Sequence, residues 1–291
     1  MRAARSQLRD WPEYLVIRFM LATMAHGPFA LSMSLGRFYA SILDKLVPRL
    51  RRVAQENLTL AMPALDEAGR QRIIDGVFKS IGRILATFAR FPSLHSKNVG
   101  KFVRYEGFEH VQAAMSRGKG VLFATGHLGN WEISALAFSL MTKPMHIVVR
   151  PLDNPLIDRL AERYRGKGGN TSINKREFAR AILERLHQNE MVGILVDQHV
   201  STGIPVNFFG VPAATSNGLA KIAARSGAAV IPGFALWSET EKQYVLRFYP
   251  ETPISGDAAE DTQRVQRALE AVIREYPDQW LWIHRRWKSK P

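Results

Sequence analysis

The stretch GVLFATGHLGNWE, residues 120–132, gives the clearest indication of the fold class of this chain. Its first half is a short, uniformly apolar run, which is typical of a strand buried on both faces of a sheet. Gly126 and Gly129 then permit a tight turn, and the apolar segment that begins at Asn130 and Trp131 predicts a helix. A buried strand, a tight turn and a helix in this order form the repeating unit of an α/β fold.

The same alternation continues along most of the chain. Strands are predicted at residues 102–107, 120–125, 146–149, 192–197, 205–209, 229–236 and 244–250. Helices are predicted at residues 108–116, from about 131, after 154, and at about 175–187, 215–225 and 257–275. Short apolar strands separated by helices predict an α/β domain whose mostly parallel sheet is flanked by helices on both faces.

The first 95 residues have a different, helical character. The apolar spacing predicts an amphipathic helix of about five turns that begins near Asp66. Residues 19–36 carry no formal charge, but a histidine, a glycine and a proline interrupt them, and a bilayer span requires roughly 20 apolar residues. Basic residues on both sides suit a helix or kinked hairpin embedded from the cytoplasmic face, and an ordinary buried hairpin is the alternative. We therefore expect a helical membrane-anchoring region at residues 1–95 and an α/β domain at residues 96–291.

The composition limits the classes of partner. The chain has 291 residues and no cysteine, so a disulfide framework is excluded. The 40 Lys and Arg residues outnumber the 26 Asp and Glu residues, which gives a formal net charge of +14. This charge favours nucleic acid, an anionic membrane, phosphorylated lipids or an acidic protein as partners. Nucleic acid is disfavoured, because no known binding motif is present and the basic residues are spread along the chain.

Polar residues follow the strand predicted at residues 120–125, at the edge of the sheet where α/β proteins bind ligands. His127 suits a general base, because its ordinary pKa of about 6.5 lies near working pH. Glu132, one helical turn into the next element, can accept the proton of the other ring nitrogen. The backbone N–H groups of Gly129 and Asn130 can face a developing negative charge. A hydrogen-bonded loop histidine beside a charge at a helix start fits the same spacing.

The stretch GHLGNWE, after a strand and before a helix, resembles the HX4D/E active-site block of the glycerolipid and lipid A acyltransferase superfamily. The late lipid A acyltransferases, in which glutamate often replaces aspartate, are the most similar subgroup. RRVAQENLTLAMP at residues 51–63 and DQWLWIHRRWKSKP at residues 278–291 also resemble that family, so the resemblance runs almost end to end. The tail's Trp280, Trp282 and Trp287 alternate with basic residues, which is typical of an anchor at a membrane surface.

Two further blocks follow in the family's order. VVRPLDNPLID resembles a block in which Arg150 and Asn154 match positions that help to bind the acceptor. An arginine just past a strand end suits bidentate binding of phosphate or carboxylate. LVDQHVSTGIPVNFFGVPAATSNG resembles a third block. Asp197 and Gln198 follow a buried strand, so their polar groups need partners; they can orient a loop or the substrate, or have a purely structural role. Asp197 and His199 lack a third ligand, so no metal site is expected.

The resemblance implies transfer of a fatty acyl chain from an acyl thioester to a hydroxyl of a lipid A precursor or related glycolipid. The donor is acyl carrier protein or acyl-CoA, which brings its own phosphopantetheine, so no separate cofactor is expected. His127 and Glu132 are the implied catalytic pair, and the attacking hydroxyl belongs to the acceptor. An acidic carrier protein, an anionic lipid and the cytoplasmic face of the bacterial inner membrane would all be attracted to the positive chain.

Other functions stay open on the sequence. The same chemistry fits a mannosylated phosphoinositide, a lysophospholipid or an ornithine lipid as acceptor, and hydrolysis is a lesser variant. A non-catalytic, basic membrane-binding protein is the alternative from another class.

Overall fold

A computed structural model describes residues 7–174 and 178–288, which form ten α-helices and nine β-strands. The helices are α1 (Gln7–Ala25), α2 (Phe29–Leu46), α3 (Pro48–Ala61), α4 (Glu67–Ala89), α5 (Phe108–Ser116), α6 (Trp131–Met141), α7 (Pro155–Arg165), α8 (Phe178–His187), α9 (Gly218–Ser226) and α10 (Ala258–Glu275). The strands are β1 (Val103–Glu106), β2 (Val121–Thr125), β3 (His146–Val149), β4 (Thr171–Asn174), β5 (Met191–Leu195), β6 (Ile204–Phe208), β7 (Val211–Thr215), β8 (Ala229–Ser238) and β9 (Gln243–Phe248).

Seven of the strands form one sheet, in the order β1-β9-β8-β2-β5-β3-β4. The strand β2 lies at its centre and pairs in parallel with both β5 and β8. The pair β8 and β9 is antiparallel, whereas the remaining neighbours run parallel. The α/β class with a mostly parallel sheet is therefore confirmed.

Helices cover both faces of this sheet, because successive side chains of β2 point in opposite directions. On one face, Phe123 packs against Phe138 of α6, with the ring centroids 5.1 Å apart. On the other face, Leu122 belongs to a buried cluster with Ile182 of α8 and Ile222 of α9. The near-continuous apolar sequence of β2 follows from this double coverage.

Helices α1, α2 and α4 pack against one another. Gly27, with a left-handed φ of 81°, turns the chain between α1 and α2, and Pro28 precedes α2. The helices α2 and α4 cross at two glycines, where a Cβ on Gly36 would lie 2.2 Å from the carbonyl oxygen of Gly82. Across residues 7–174 and 178–288, no helix combines the length and apolar character that a bilayer crossing needs.

The end of the chain forms a C-terminal strap, residues 276–288, that is built into the protein core. Trp280 and Trp282 are both 0% exposed and share a buried cluster with residues of α3 and α4. Asn57 of α3 donates hydrogen bonds to two backbone carbonyl oxygens of the strap, each at 2.7 Å. The predicted membrane-surface anchor is therefore wrong for these two tryptophans, because they fill the core.

Several elements differ from the sequence prediction. Residues 205–209 were expected in the main sheet, but β6 pairs only with β7, in a separate antiparallel hairpin. Phe209 and Gly210 turn that hairpin with φ values of 56° and 78°, the left-handed conformation of a tight two-residue turn. The hairpin extends to Thr215, so α9 begins later than predicted. The short edge strand β4 was missed, and the predicted start of α8 at residues 175–177 lies outside the described residues.

Candidate active site

The candidate catalytic histidine lies where two neighbouring parallel strands end. Thr125 of β2 pairs with Leu195 of β5. His127 and Asp197 each come two residues after these paired positions, so both stand at the same edge of the sheet. This is the edge at which the sequence placed the site.

Asp197 is 0% exposed and uses both carboxylate oxygens. Its Oδ1 lies 2.9 Å from Nδ1 of His127, and its Oδ2 accepts a hydrogen bond from the backbone N–H of His127 at 2.7 Å. The indole Nε1 of Trp280 also donates to Oδ2, at 2.9 Å. A carboxylate on Nδ1 favours the tautomer with the proton on that nitrogen, so the lone pair of Nε2 is left for a substrate.

Burial and charge oppose each other at this pair. Burial is the largest influence on His127 and lowers its pKa, but the charge and hydrogen bond of Asp197, helped by the charge of Glu132, outweigh it. The pKa of His127 is therefore raised above its ordinary 6.5. Burial raises the pKa of Asp197, yet its interactions with His127 outweigh burial and hold that pKa well below its usual range. The carboxylate is thus ionised and fit to stabilise an imidazolium.

Glu132 does not make the hydrogen bond to His127 that the sequence predicted. It stands in the first turn of α6, and its carboxylate accepts hydrogen bonds from Nε and Nη2 of Arg165 in α7, at 2.9 and 2.6 Å. The two side chains are only 13% and 15% exposed. The structure gives the orienting role at Nδ1 to Asp197, because the adjacent strand end brings it there, while α6 directs Glu132 towards α7.

The backbone N–H groups expected to stabilise an oxyanion are already used. Gly129 donates to the carbonyl oxygen of Gln279 at 2.9 Å, and Asn130 donates to that of Ala235 at 2.8 Å. The Asn130 side chain caps α6 by accepting from Ile133 N–H at 3.1 Å. We correct the expected role of both residues, because an N–H bound to a carbonyl is not available to a substrate. Gly129 and Asn130 instead build the turn that positions His127.

Two other polar groups line the same cavity as the His127 ring. Nε2 of Gln198 is 3.4 Å from Nε2 of His127. The hydroxyl of Thr125 is buried, has no hydrogen-bond partner among the described residues, and lines the cavity next to the ring. The described hydrogen bonds of the His127 ring go to Asp197 and Gln198, so none of the described hydroxyl groups is hydrogen-bonded to it.

A cavity of about 450 Å³ opens at His127 and extends between the sheet and α6. Glu132, Arg165 and Gln198 line it near the strand ends. Further along the same sheet face its wall is apolar and contains Phe123, Ala135, Phe138, Met145, Ile147, Leu246 and Phe248. The volume and mixed lining are typical of a site for a largely apolar ligand with one polar end.

The two residues of the second sequence block have different surroundings. Arg150 lines the cavity, and its side chain is 68% exposed, with Nη2 3.4 Å from Oδ1 of Asp153. Asn154 is 3% exposed and is not among the described residues that line the cavity. Arg150 thus stands where it can meet a soluble anion or a lipid headgroup, whereas Asn154 contacts other parts of the protein.

Sequence reasoning did not identify Arg165 or Trp280 as parts of the site. Arg165 reaches Glu132 across 33 residues, and Trp280 reaches Asp197 across 83 residues. Local sequence spacing does not predict contacts between residues so far apart. The only signal was the tail block that contains Trp280, and its alternation with basic residues pointed to a membrane instead.

Comparison with known proteins shows that this chain is similar to several acyltransferases. The lipid A biosynthesis acyltransferase of Haemophilus influenzae is 27% identical over 277 residues, which cover 94% of this chain and 86% of that protein. The lipid A biosynthesis lauroyltransferase of Escherichia coli is 26% identical over 288 residues, covering 97% and 93%. The phosphatidylinositol mannoside acyltransferase of Mycolicibacterium smegmatis is 26% identical over 216 residues, 70% of each chain.

The family match spans nearly the whole chain. The model of the bacterial lipid A biosynthesis acyltransferases matches residues 2–289. This range includes the strand-end histidine, its buried carboxylate and the C-terminal strap. The protein is an acyltransferase and belongs to the bacterial lipid A biosynthesis acyltransferase family.

Proposed function

We propose that this enzyme transfers a fatty acyl chain from an acyl thioester, carried by acyl carrier protein, to a hydroxyl of a lipid A precursor or related glycolipid. The observation that carries the proposal is the pairing of His127 with buried Asp197 at an apolar cavity. A histidine with one nitrogen fixed is suited to take a proton, and the cavity is suited to hold a hydrocarbon chain. The family relatives named for lipid A biosynthesis support the acceptor class.

In the proposed reaction, the acceptor hydroxyl gives its proton to Nε2 of His127 while its oxygen attacks the thioester carbonyl carbon. The carbon–sulfur bond then breaks, the ester stays on the acceptor, and the proton passes from Nε2 to the leaving thiolate. Asp197 stabilises the imidazolium that exists between these two transfers. A positioned general base of this kind contributes about 10²- to 10⁴-fold to the rate.

Negative charge develops on the carbonyl oxygen during the attack, and it needs a hydrogen-bond donor. Because the amides of Gly129 and Asn130 are occupied, we assign this role to the amide of Gln198 and the hydroxyl of Thr125. In the resting enzyme Gln198 lies against Nε2 of His127, where the acceptor hydroxyl would bind. Binding of the acceptor would displace the Gln198 amide from the ring and free it for the oxyanion.

The apolar part of the cavity would hold the acyl chain. Burying each methylene stabilises a bound chain by about 0.8 kcal/mol, so the cavity wall selects for length. Arg150 at the cavity would bind a phosphate or carboxylate of the acceptor. The donor brings its own phosphopantetheine arm, so the proposed reaction needs no separate cofactor; acyl-CoA is the other donor of this chemistry.

We also propose that the enzyme acts at the cytoplasmic face of the bacterial inner membrane. The helix α1 exposes Trp11, Leu15 and Phe19, which are 54%, 58% and 66% accessible. Their spacing of four residues places them on one face. An apolar helix face on a chain of net charge +14 suits attachment to an anionic bilayer surface.

In the decisive experiment, purified enzyme is incubated with a panel of lipid acceptors and a donor whose acyl chain is radiolabelled, either acyl carrier protein or acyl-CoA. The proposal expects ester-linked label on the lipid A precursor, and at most about 1% of that amount with His127→Ala. Label recovered only as free fatty acid would instead indicate a hydrolase. Vesicle binding without any acyl transfer would revive the non-catalytic alternative.

A second acceptor class has specific support. The similarity to phosphatidylinositol mannoside acyltransferases covers 70% of this chain, so a mannosylated phosphoinositide belongs in the same panel. Lysophospholipids and ornithine lipids complete it, because they also present a free hydroxyl beside an anionic or zwitterionic group. Preference for one of these acceptors would keep the mechanism and change the acceptor.

A further inference from the structure

Asn154 connects two parts of the molecule that are far apart in sequence. Its Oδ1 caps α7, accepting from the N–H groups of Leu156 at 3.0 Å and Ile157 at 3.3 Å. Its Nδ2 donates instead to two residues of α1: to the backbone carbonyl of Asp10 at 2.9 Å and to Oε2 of Glu13 at 3.1 Å. One buried amide therefore caps one helix and fastens it to α1.

The residues just before Asn154 form the loop at the cavity. We call residues 150–153 the cavity loop, because all four line the cavity. The loop includes Arg150, the proposed acceptor-binding cation, and Leu152, which is 41% exposed. Since Asn154 ends this loop and begins α7, a displacement of α1 would be transmitted directly to the loop.

Apolar packing reinforces the same connection. Leu160 and Tyr164 of α7 belong to a cluster with Leu21 and Met24 of α1. The inner face of α1 thus rests on α7, while its outer face exposes the apolar side chains proposed to enter a bilayer. The two faces belong to one helix, which gives a contiguous path of contacts from the proposed membrane surface to the cavity loop.

We propose that Asn154 is a positioning residue that couples the attachment of α1 to an anionic bilayer with the ordering of the cavity loop. The proposal rests on the proposed membrane function and deepens it. It replaces direct acceptor binding by Asn154, because the amide is buried and its oxygen and nitrogen are engaged within the protein. A bilayer can bind α1 more tightly when α1 is hydrogen-bonded to Asn154 than when it is not. Such a bilayer would favour the loop conformation seen here, by that difference in affinity.

The variant Asn154→Ser separates the two hydrogen bonds that Nδ2 of Asn154 donates to α1, which we call the latch, from the helix cap. Serine is as good an N-cap residue as asparagine, but its shorter side chain has no amide to reach α1. Asp257→Ser is the matched control, since Asp257 caps α10 in the same way, accepting from Ala259 and Glu260 N–H at 2.8 and 2.9 Å. Asp257→Ser should unfold near the wild-type temperature, whereas Asn154→Ser also loses the two hydrogen bonds to α1 and should unfold at a lower temperature, while both variants stay folded under the assay conditions.

The test measures amide hydrogen exchange of the cavity loop with and without vesicles of phosphatidylethanolamine and phosphatidylglycerol. In wild type and Asp257→Ser, vesicles should slow exchange by about fivefold or more, the lower end of typical coupling energies. Asn154→Ser should sediment with the vesicles equally well, yet show less than about twofold slowing. Equal slowing in Asn154→Ser, or none in wild type, would overturn the proposal.

The catalytic proposal is tested separately by acyl transfer. Because exchange is measured without donor or acceptor, failure of the latch leaves the transferase assignment intact. Conversely, an enzyme that transfers no acyl group can still show the vesicle-dependent exchange. With transfer established, Asn154→Ser should raise KM for an acceptor embedded in anionic vesicles and leave KM for the same acceptor dispersed in detergent unchanged. An equal rise in both formats would indicate a merely structural role.

Discussion

At His127, a buried carboxylate fixes one ring nitrogen and leaves the other for the substrate hydroxyl of the proposed reaction. Burial alone would lower the pKa of this histidine and make it a weaker base. Asp197 reverses that effect with its charge and hydrogen bond, and is itself kept in place by the His127 amide and the Trp280 indole. The pKa of His127 is therefore raised by a residue 70 positions away in the sequence.

The pH dependence of the enzyme should report this pairing. A general base must be neutral, so kcat/KM should rise with pH through a pKa above 6.5 in the wild type. Asp197→Asn removes the charge that raises the pKa of His127, so the rising limb should move to lower pH. Its plateau should fall by about 10²-fold or more, because the tautomer is no longer fixed.

A pH profile with steady-state kinetics of wild type, Asp197→Asn and His127→Ala checks this prediction. His127→Ala should lose the limb and retain at most about 1% of the activity. An unchanged limb in Asp197→Asn would contradict the assignment of Asp197 as the partner that sets the pKa.

Glu132 should act chiefly through Arg165. Removing one partner of a largely buried ion pair leaves the other uncompensated, which costs about 3–5 kcal/mol. We expect Glu132→Gln to destabilise the fold and to reduce transfer, whereas the double variant Glu132→Gln with Arg165→Met should recover part of the stability. Denaturant unfolding of both single variants and the double variant measures the coupling. Strictly additive losses would show that the pair is not coupled.

At the scale of elements, β5 and α6 form opposite walls of the cavity. Gly193 of β5 lines the cavity beside Met145, which packs so closely on it that a Cβ at position 193 would lie 2.9 Å from Cε of Met145. The apolar pattern of residues 192–197 predicted a strand, but it did not predict a cavity. A cavity depends on which side chains α6 and β3 present to the strand, and these come from separate segments.

The substitution Gly193→Val should shorten the acyl chain that the enzyme prefers. Added methyl groups would occupy the cavity next to Met145, so long-chain donors should lose kcat/KM about tenfold relative to shorter ones. Gly100→Ala is the matched control, because a Cβ there meets no atom within 4 Å. Competition between donors of different chain length gives the ratio. An unchanged ratio would place the acyl chain elsewhere.

At the scale of the whole molecule, a positive chain presents an apolar helix face. The two features act at different ranges, because charge attracts an anionic surface over about a Debye length and apolar side chains stabilise contact only on insertion. The prediction that the N-terminal region attaches to a membrane stays a prediction, and so does the domain boundary at residue 95.

Removing the apolar face of α1 should weaken membrane attachment. The double variant Leu15→Ser with Phe19→Ser loses two side chains, each contributing about 1.5–3 kcal/mol on burial, so binding to anionic vesicles should fall more than tenfold. Vesicle sedimentation at increasing salt measures this, and the residual binding should decrease further as salt screens the charge. Binding equal to that of the wild type would place the membrane contact on another surface.

Local periodicity and turn residues were enough to predict the α/β class, most strands and helices, and the position of His127 at a strand end. They did not predict which carboxylate orients His127, which amides are occupied, or that Trp280 lies in the core, because these depend on contacts between distant segments. Spacing had favoured Glu132, five positions away, but neighbouring parallel strands bring Asp197 closer. Such choices depend on strand order and helix direction, which are set by packing across the whole chain.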